Sequence, residues 1–313
     1  SYVFIYFMIL IVFNTEKDVK NLLKIILVSF AIGSLVSVYY YLTHSAEAEA
    51  QGLLYRTGGI VAGANGYAMT LVIILIFYFN LFLQGKTKEL LPQWIFLGFW
   101  SLILLAVIVT FSRSAWLALW VSILPLSILR RRRYVAVILV AVAVLNFFIL
   151  RSPVEKRIKM TFEKQPWSTL PVHLGGREKI WRKSIQRIGS RHILGIGYAN
   201  FAQTIMGTTP HNQYIALLGE SGLFGLVTFI FFLYRLFRTY LYLARHHPIP
   251  FYRECAIGSL VGLIAFTWSS VAGEFFYMPM GMAVLLGLYT ASRFTYQREY
   301  EKILQKRIHS QEV

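Results

Sequence analysis

Apolar residues along this chain fall in unbroken blocks, with polar and charged residues gathered between them. A hydrocarbon core takes about 20 residues of helix, and blocks of that size predict spans at about 23–43, 59–83, 94–111, 114–130, 134–150, 212–234, 256–273 and 276–292. The expected fold class is therefore all-α: a polytopic transmembrane helix bundle of about 8–9 spans. Short alternating strands, the mark of a membrane barrel, do not occur. Residues 2–13 are apolar too, but at about 1.5 Å per residue they reach only about 18 Å. No basic region precedes this run and no small-residue cleavage site follows it, so it is not read as a signal peptide. The chain begins at Ser1 without Met, and earlier helices are expected to precede it.

Composition agrees with the pattern. Hydrophobic residues make up 57% of the 313 and charged ones 14%, well below the roughly one quarter charged in soluble domains. The net charge of +17 raises the question of nucleic acid, which the placement of the basic residues answers. Lys17, Lys20 and Lys24, then Lys86 and Lys88, then the four arginines 130–133, then Arg235, Arg238, Arg245 and Arg253, and the tail from Arg293 occupy alternate loops. Alternation of this kind is a topology signal that puts all five places in the cytoplasm, and nucleic acid is not an expected partner. The opposite loops are then outside: 44–58, the "TFSRS" turn, 151–211 and "GEFF" at 273–276. The lone Cys255 forms no internal disulfide. Three regions follow: N-terminal transmembrane helices over 1–150, an extracytoplasmic loop with an interfacial helix over 151–211, and C-terminal transmembrane helices with a basic cytoplasmic tail over 212–313.

The outer loop 151–211 is basic although topology does not require it, and a cationic surface beside the outer leaflet attracts phosphates and acidic glycans. Within it, "GGREKIWRKSIQRIGSRH" has helical spacing: Ile180, Trp181, Ile185 and Ile188 share one face, and Lys179, Arg182, Lys183 and Arg187 fill the rest. The segment reads as an amphipathic helix in the membrane interface, or as a surface helix with a solvated basic face. Arg177 lies 4, 7 and 11 residues before Trp181, Ser184 and Ile188, on the apolar side. A guanidinium there either meets a fixed anion or, if Gly175 and Gly176 end a turn, snorkels from the first turn.

Other polar residues interrupt apolar surroundings. Arg113 in "TFSRSAW" is read as a binding residue or as one snorkelling beside Trp116. His211, between Pro210 and Asn212 at the mouth of the next span, is a candidate base or a plain interfacial residue. Glu220 lies nine residues further on and is assigned a structural ion pair. Gly219, Gly222 and Gly225 permit close packing, and the glycines of "GIGYAN" at 195–200 serve a turn, with backbone amides near a phosphate as the lesser reading. No HExxH, outer Asp-x-Asp pair or cysteine cluster is present, so no metal site and no cofactor are expected.

"GGIVAGANGYAMTL" (58–71), "TFSRSAWLAL" (110–119), "GGREKIWRKSI" (175–185), "HILGIGYANF" (192–201) and "HNQYIALLGESGLFG" (211–225), in this order, resemble the O-antigen ligase-like membrane proteins. That family includes O-antigen ligases, O-antigen and capsule polymerases, and protein O-oligosaccharyltransferases. The resemblance implies an inverting, metal-independent glycosyltransferase of the bacterial inner membrane, with its site on the extracytoplasmic side. Its donor would be a polyprenyl (undecaprenyl) diphosphate-linked glycan, and its acceptor a hydroxyl of a glycan, lipid or protein. Matching motifs place the diphosphate arginines on Arg113 and Arg177, the base on His211 and a further substrate contact on Asn212. The family's N-terminal helices are missing here and the outer loop is compact, which leaves the acceptor site open. Competing classes are a transporter or flippase of an anionic lipid-linked glycan and a non-catalytic envelope assembly protein.

Overall fold

A computed structural model describes residues 15–50, 55–58, 63–130, 172–189, 193–198, 200–201 and 209–274, with isolated positions between 293 and 305. The runs at 2–13, 134–150 and 276–292 lie outside the described residues. Among those described the secondary structure is entirely helical: α1 (Glu16–Ala50), α2 (Ala64–Leu83), a 3₁₀ turn (Lys86–Glu89), α3 (Gln93–Val109), α4 (Arg113–Arg130), α5 (Val172–Ile188), α6 (Gln213–His246) and α7 (Pro250–Ser269). Three of them, α1 over 16–48, α2 and α6, are long and apolar enough to cross a membrane, and α3 is a shorter apolar helix.

Local sequence sets the helix starts. In "TEKD", Thr15 Oγ1 accepts the Asp18 N–H at 3.1 Å while Asp18 Oδ2 accepts the Thr15 N–H at 2.9 Å, a reciprocal cap that satisfies two otherwise orphaned donors at the head of α1. Pro250 opens α7, where its missing N–H costs nothing.

Helix α2 is the axis of the bundle. Its residues from Gly66 to Leu81 are buried, enclosed by α7, α4 and α3, and the Tyr78 hydroxyl donates to the Leu23 carbonyl of α1. Tyr67, Phe77 and Tyr78 lie within this core, and Asn80 is satisfied by the Glu254 carbonyl at 2.7 Å. Around this axis the outer helices present apolar side chains outward, among them Ile32, Leu35, Leu97, Leu124, Val227, Ile230 and Phe231. Exposed apolar faces around a buried apolar axis are what a lipid solvent favours.

The two ends differ. At one, Lys20 joins Glu16 (2.6 Å) and Glu89 (2.8 Å), and its ammonium lies 5.0 Å from the Phe251 ring centroid, so the starts of α1 and α7 and the end of α2 meet there. Asn80 meets Glu254, and Gly258 packs on Phe77, so α2 and α7 run antiparallel. Continuing that register brings the start of α2 level with Ser269–Ser270, and the Gln213 N–H donates to the Ser270 carbonyl at 2.8 Å. His211 and Arg113 therefore share the end opposite Lys20.

The span expected at 212–234 is not straight. Gly222 has φ 67° and ψ −169°, and the rings of Tyr214 and Phe229 are 6.2 Å apart. Fifteen residues of straight helix would separate them by about 22 Å, so α6 folds back on itself at Gly222 into a short arm (213–221) and a long arm (223–246). The carbonyls of Gly219 and Glu220, next to the break, accept the N–H groups of Ile196 and Gly197, both at 2.9 Å. The amides of Ile196 and Gly197 in "GIGYAN" are thus committed to the break in α6. Contact is close enough that a Cβ on Gly222 would overlap the Ile193 carbonyl, and one on Gly195 the Glu220 carbonyl. Both glycines also have positive φ (67° and 75°).

Gly222→Ala combines left-handed backbone, costing about 1–3 kcal/mol, with steric overlap, and is expected to lower the unfolding temperature in detergent by several degrees. Gly98→Ala in α3, where a Cβ meets open space, serves as the control and should leave it unchanged or raised. Equal behaviour of the two variants would refute the packing described.

Candidate active site at the His211 end

Asn212 is the N-cap of α6: its side-chain oxygen accepts the N–H groups of Tyr214 (3.0 Å) and Ile215 (3.1 Å), and the residue is buried. The residue expected to contact substrate thus has its oxygen engaged in starting the helix. Tyr214 extends the tie by donating its hydroxyl to the Thr267 carbonyl at 2.9 Å.

His211, immediately before the cap, stands at φ 49°, a left-handed conformation that costs a non-glycine residue about 1–3 kcal/mol. Its N–H donates to Glu274 Oε1 at 2.9 Å, and a hydrogen bond to a charged acceptor, worth about 1.5–3 kcal/mol, is of the size needed to hold it. Glu274 was not singled out in the sequence, where it appears only as part of a short loop. Burial raises its pKa above the usual carboxylate value, the His211 N–H and Thr209 pull it down, and nearby Glu220 pushes it up again. Glu220 is itself buried. The charge acting on Glu274 from it is a like charge.

Helix α5 brings Arg177 to this histidine. Gly175 and Gly176 lie inside the helix and do not end a turn. Ser184 and Ile188 are buried and Arg177, Ile180 and Trp181 half-buried, so the stripe containing Arg177 packs inward while Arg182, Lys183 and Arg187 face out. Ile185, expected on the apolar face, is 57% exposed. The packed stripe is narrower than the apolar arc because it follows one row of residues spaced three or four apart. Ile188 packs with Phe201 against the short arm of α6. Trp181 donates its indole N–H to the Pro210 carbonyl at 2.8 Å, tying α5 to the residue before His211. Desolvation lowers the His211 pKa from its ordinary 6.5, and the positive charge of Arg177 lowers it further. Thr209 Oγ1 lies 3.4 Å from the His211 Nδ1.

Arg113 is the first residue of α4, half-buried, behind a strained turn in which Phe111 has φ 48°. A polar network holds this turn. Arg56 donates to the Thr110 carbonyl (3.0 Å) and to Asn65 (2.6 Å), and Ser112 donates to Asn65 (3.0 Å). Arg56 is a further cation at this end that the sequence reading passed over; its signal is the "YRTGG" just before α2. Arg177 and His211 are brought together, and Arg113 joins them at the same end of the bundle. Among the described residues no group of three His, Cys, Asp or Glu side chains is placed to hold a metal ion.

Membrane-length apolar helices packed into a bundle are the architecture of a membrane protein, and here Arg177 and His211 are gathered at one end of it. Residues 96–230 match the family model described as O-antigen ligase, and over that stretch the chain is similar to that family. That stretch holds Arg113, Arg177, His211, Asn212 and Glu220, whereas Arg56 and Glu274 lie outside it. No curated protein matches the chain.

Replacing the cap distinguishes its structural part. Asn212→Ala should destabilise the protein by about 1 kcal/mol, and Asn212→Ser, which also caps well, by a few tenths. Unfolding in detergent checks this, and equal loss in both variants would contradict the capping role.

Proposed function

We propose that this protein transfers a glycan from a polyprenyl diphosphate carrier to an acceptor hydroxyl, with inversion and without a metal ion. Within the O-antigen ligase type, the reaction is ligation or polymerisation of cell-surface polysaccharide at the extracytoplasmic face of the bacterial inner membrane. The observation that carries this reading is the placement of Arg177 beside a His211 whose pKa burial and that guanidinium both lower.

The leaving group is already a diphosphate, so the transition state needs two things: charge neutralisation on departing oxygens and removal of the acceptor proton. Arginine is fitted to the first, because its planar fork bonds two phosphate oxygens and stays charged. Arg113 and Arg177 hold the diphosphate. His211 Nε2 takes the proton from the acceptor hydroxyl as its oxygen attacks the anomeric carbon on the face opposite the departing diphosphate. A base must be unprotonated at working pH, and the same guanidinium that binds phosphate depresses the imidazole pKa. Once the dianionic diphosphate neutralises Arg177, that depression relaxes and the histidine accepts a proton more readily. Glu274 acts through His211 as a positioning residue, fixing the backbone from which the ring projects.

Transfer from a defined polyprenyl diphosphate glycan by the purified protein tests the reading directly. His211→Ala should cost about 10² to 10⁴ in rate, and wild-type activity in that variant would defeat the base assignment. It would also favour an assembly role without catalysis. In kcat/KM against pH, activity should fall on the acid side with a midpoint below 6.5, because His211 must be neutral. In Arg177→Gln the residual activity should show that midpoint moved to higher pH. For Glu274, the Gln variant keeps an acceptor for the His211 N–H and should retain most of kcat, while the Ala variant should lose about tenfold. Equal loss in both would rule out positioning.

A further inference from the structure

A second cationic site lies at the far end of α6, away from His211. A cavity of about 420 Å³ is lined by Tyr234, Arg235, Arg238 and Tyr242 of the long arm, and by Arg293 and Tyr296 of the C-terminal segment. Among the described lining residues, three guanidiniums come from two distant parts of the chain and none is a carboxylate. The walls are organised. Arg238 donates to the Tyr234 hydroxyl at 3.4 Å and lies 5.9 Å from that ring's centroid, while the Tyr242 and Tyr296 hydroxyls are 2.8 Å apart and join the C-terminal segment to α6. Tyr296 also stacks on Tyr300.

Ordinary loop arginines need only water. Here they border a concave space of the size that holds a small ligand, beside aromatic hydroxyls able to donate. Guanidinium forks flanked by hydroxyl donors match a tetrahedral phosphate, whose several oxygens accept together, better than a single carboxylate. The helix leading to the cavity exposes Val227, Ile230, Phe231 and Phe237, an apolar ridge ending at the arginines. An acyl chain on that ridge would place its headgroup at the cavity.

We propose that this cavity binds a phosphate group, presented by an anionic lipid headgroup or free in solution, at the end of the bundle that the charge pattern assigns to the cytoplasm. Full-length protein in detergent is titrated with dioctanoyl phosphatidic acid, inorganic phosphate and dioctanoyl phosphatidylcholine, with binding read by thermophoresis. The doubly substituted Arg235→Gln/Arg238→Gln protein should bind the anionic probe about 30-fold more weakly. Arg293→Gln, outside α6, should weaken it about fivefold, which keeps the test available if the double variant misfolds. Arg245→Gln, exposed on the same helix but outside the cavity, should change it less than twofold. Binding of phosphatidic acid alone identifies the headgroup as source, and binding of inorganic phosphate as well identifies the phosphate itself. Indifference of all the variants, equal binding of phosphatidylcholine, or no binding at all would overturn the proposal.

Discussion

The arrangement of this molecule at its His211 end depends on the reversal of α6 at Gly222. A helix interrupted in apolar surroundings leaves carbonyls that must find donors, since an unpaired buried polar group is costly. Here the donors come from the loop at 196–197, which enters so closely that Gly195 and Gly222 meet backbone to backbone. One interaction therefore does two jobs: it closes the broken helix and fixes the loop that follows α5. The short arm, beginning at the Asn212 cap, then sets His211 beside the end of α7.

Around that histidine the chemistry is built by opposing charges in partial burial. Glu274 holds the His211 backbone, Trp181 holds the carbonyl before it, and Arg177 on α5 works on the imidazole through space. Arginine beside histidine is unfavourable for a protonated ring, and that repulsion is useful to a base that must begin neutral. Two carboxylates, buried Glu220 and half-buried Glu274, also lie within electrostatic reach of each other. Cationic and acidic groups are thus packed into one end of the bundle, where low dielectric makes each charge matter more than it would in water. At the Lys20 end, the ion pairs of Lys20, Glu16 and Glu89 are the ordinary partly exposed kind and contribute little.

Block hydropathy was enough to read the helical class, because residues that must face lipid or a dry core leave a composition that little else can explain. Helical periodicity likewise put Arg177 on the stripe with Trp181, Ser184 and Ile188. Three features escaped. The reversal at Gly222 depends on a loop outside the helix, so "GESGLFG" reads as a continuous span with small residues for packing. Ile185 is apolar but lies off the packed row, and periodicity alone does not say which part of an apolar arc will find a partner. Glu274 and Arg56 sit 63 and 54 residues from the backbone groups they hold, His211 N and the Thr110 carbonyl, and no local pattern marks such pairings.

The central claim is that Arg177 and His211 share one environment, in which burial and then the guanidinium lower the imidazole pKa. Titrating the His211 ring by NMR, with labelled histidine in protein embedded in nanodiscs, tests it without any glycan substrate. The account predicts a wild-type pKa below 6.5 that rises in Arg177→Gln. A wild-type value at or above 6.5, unchanged by that substitution, would contradict it.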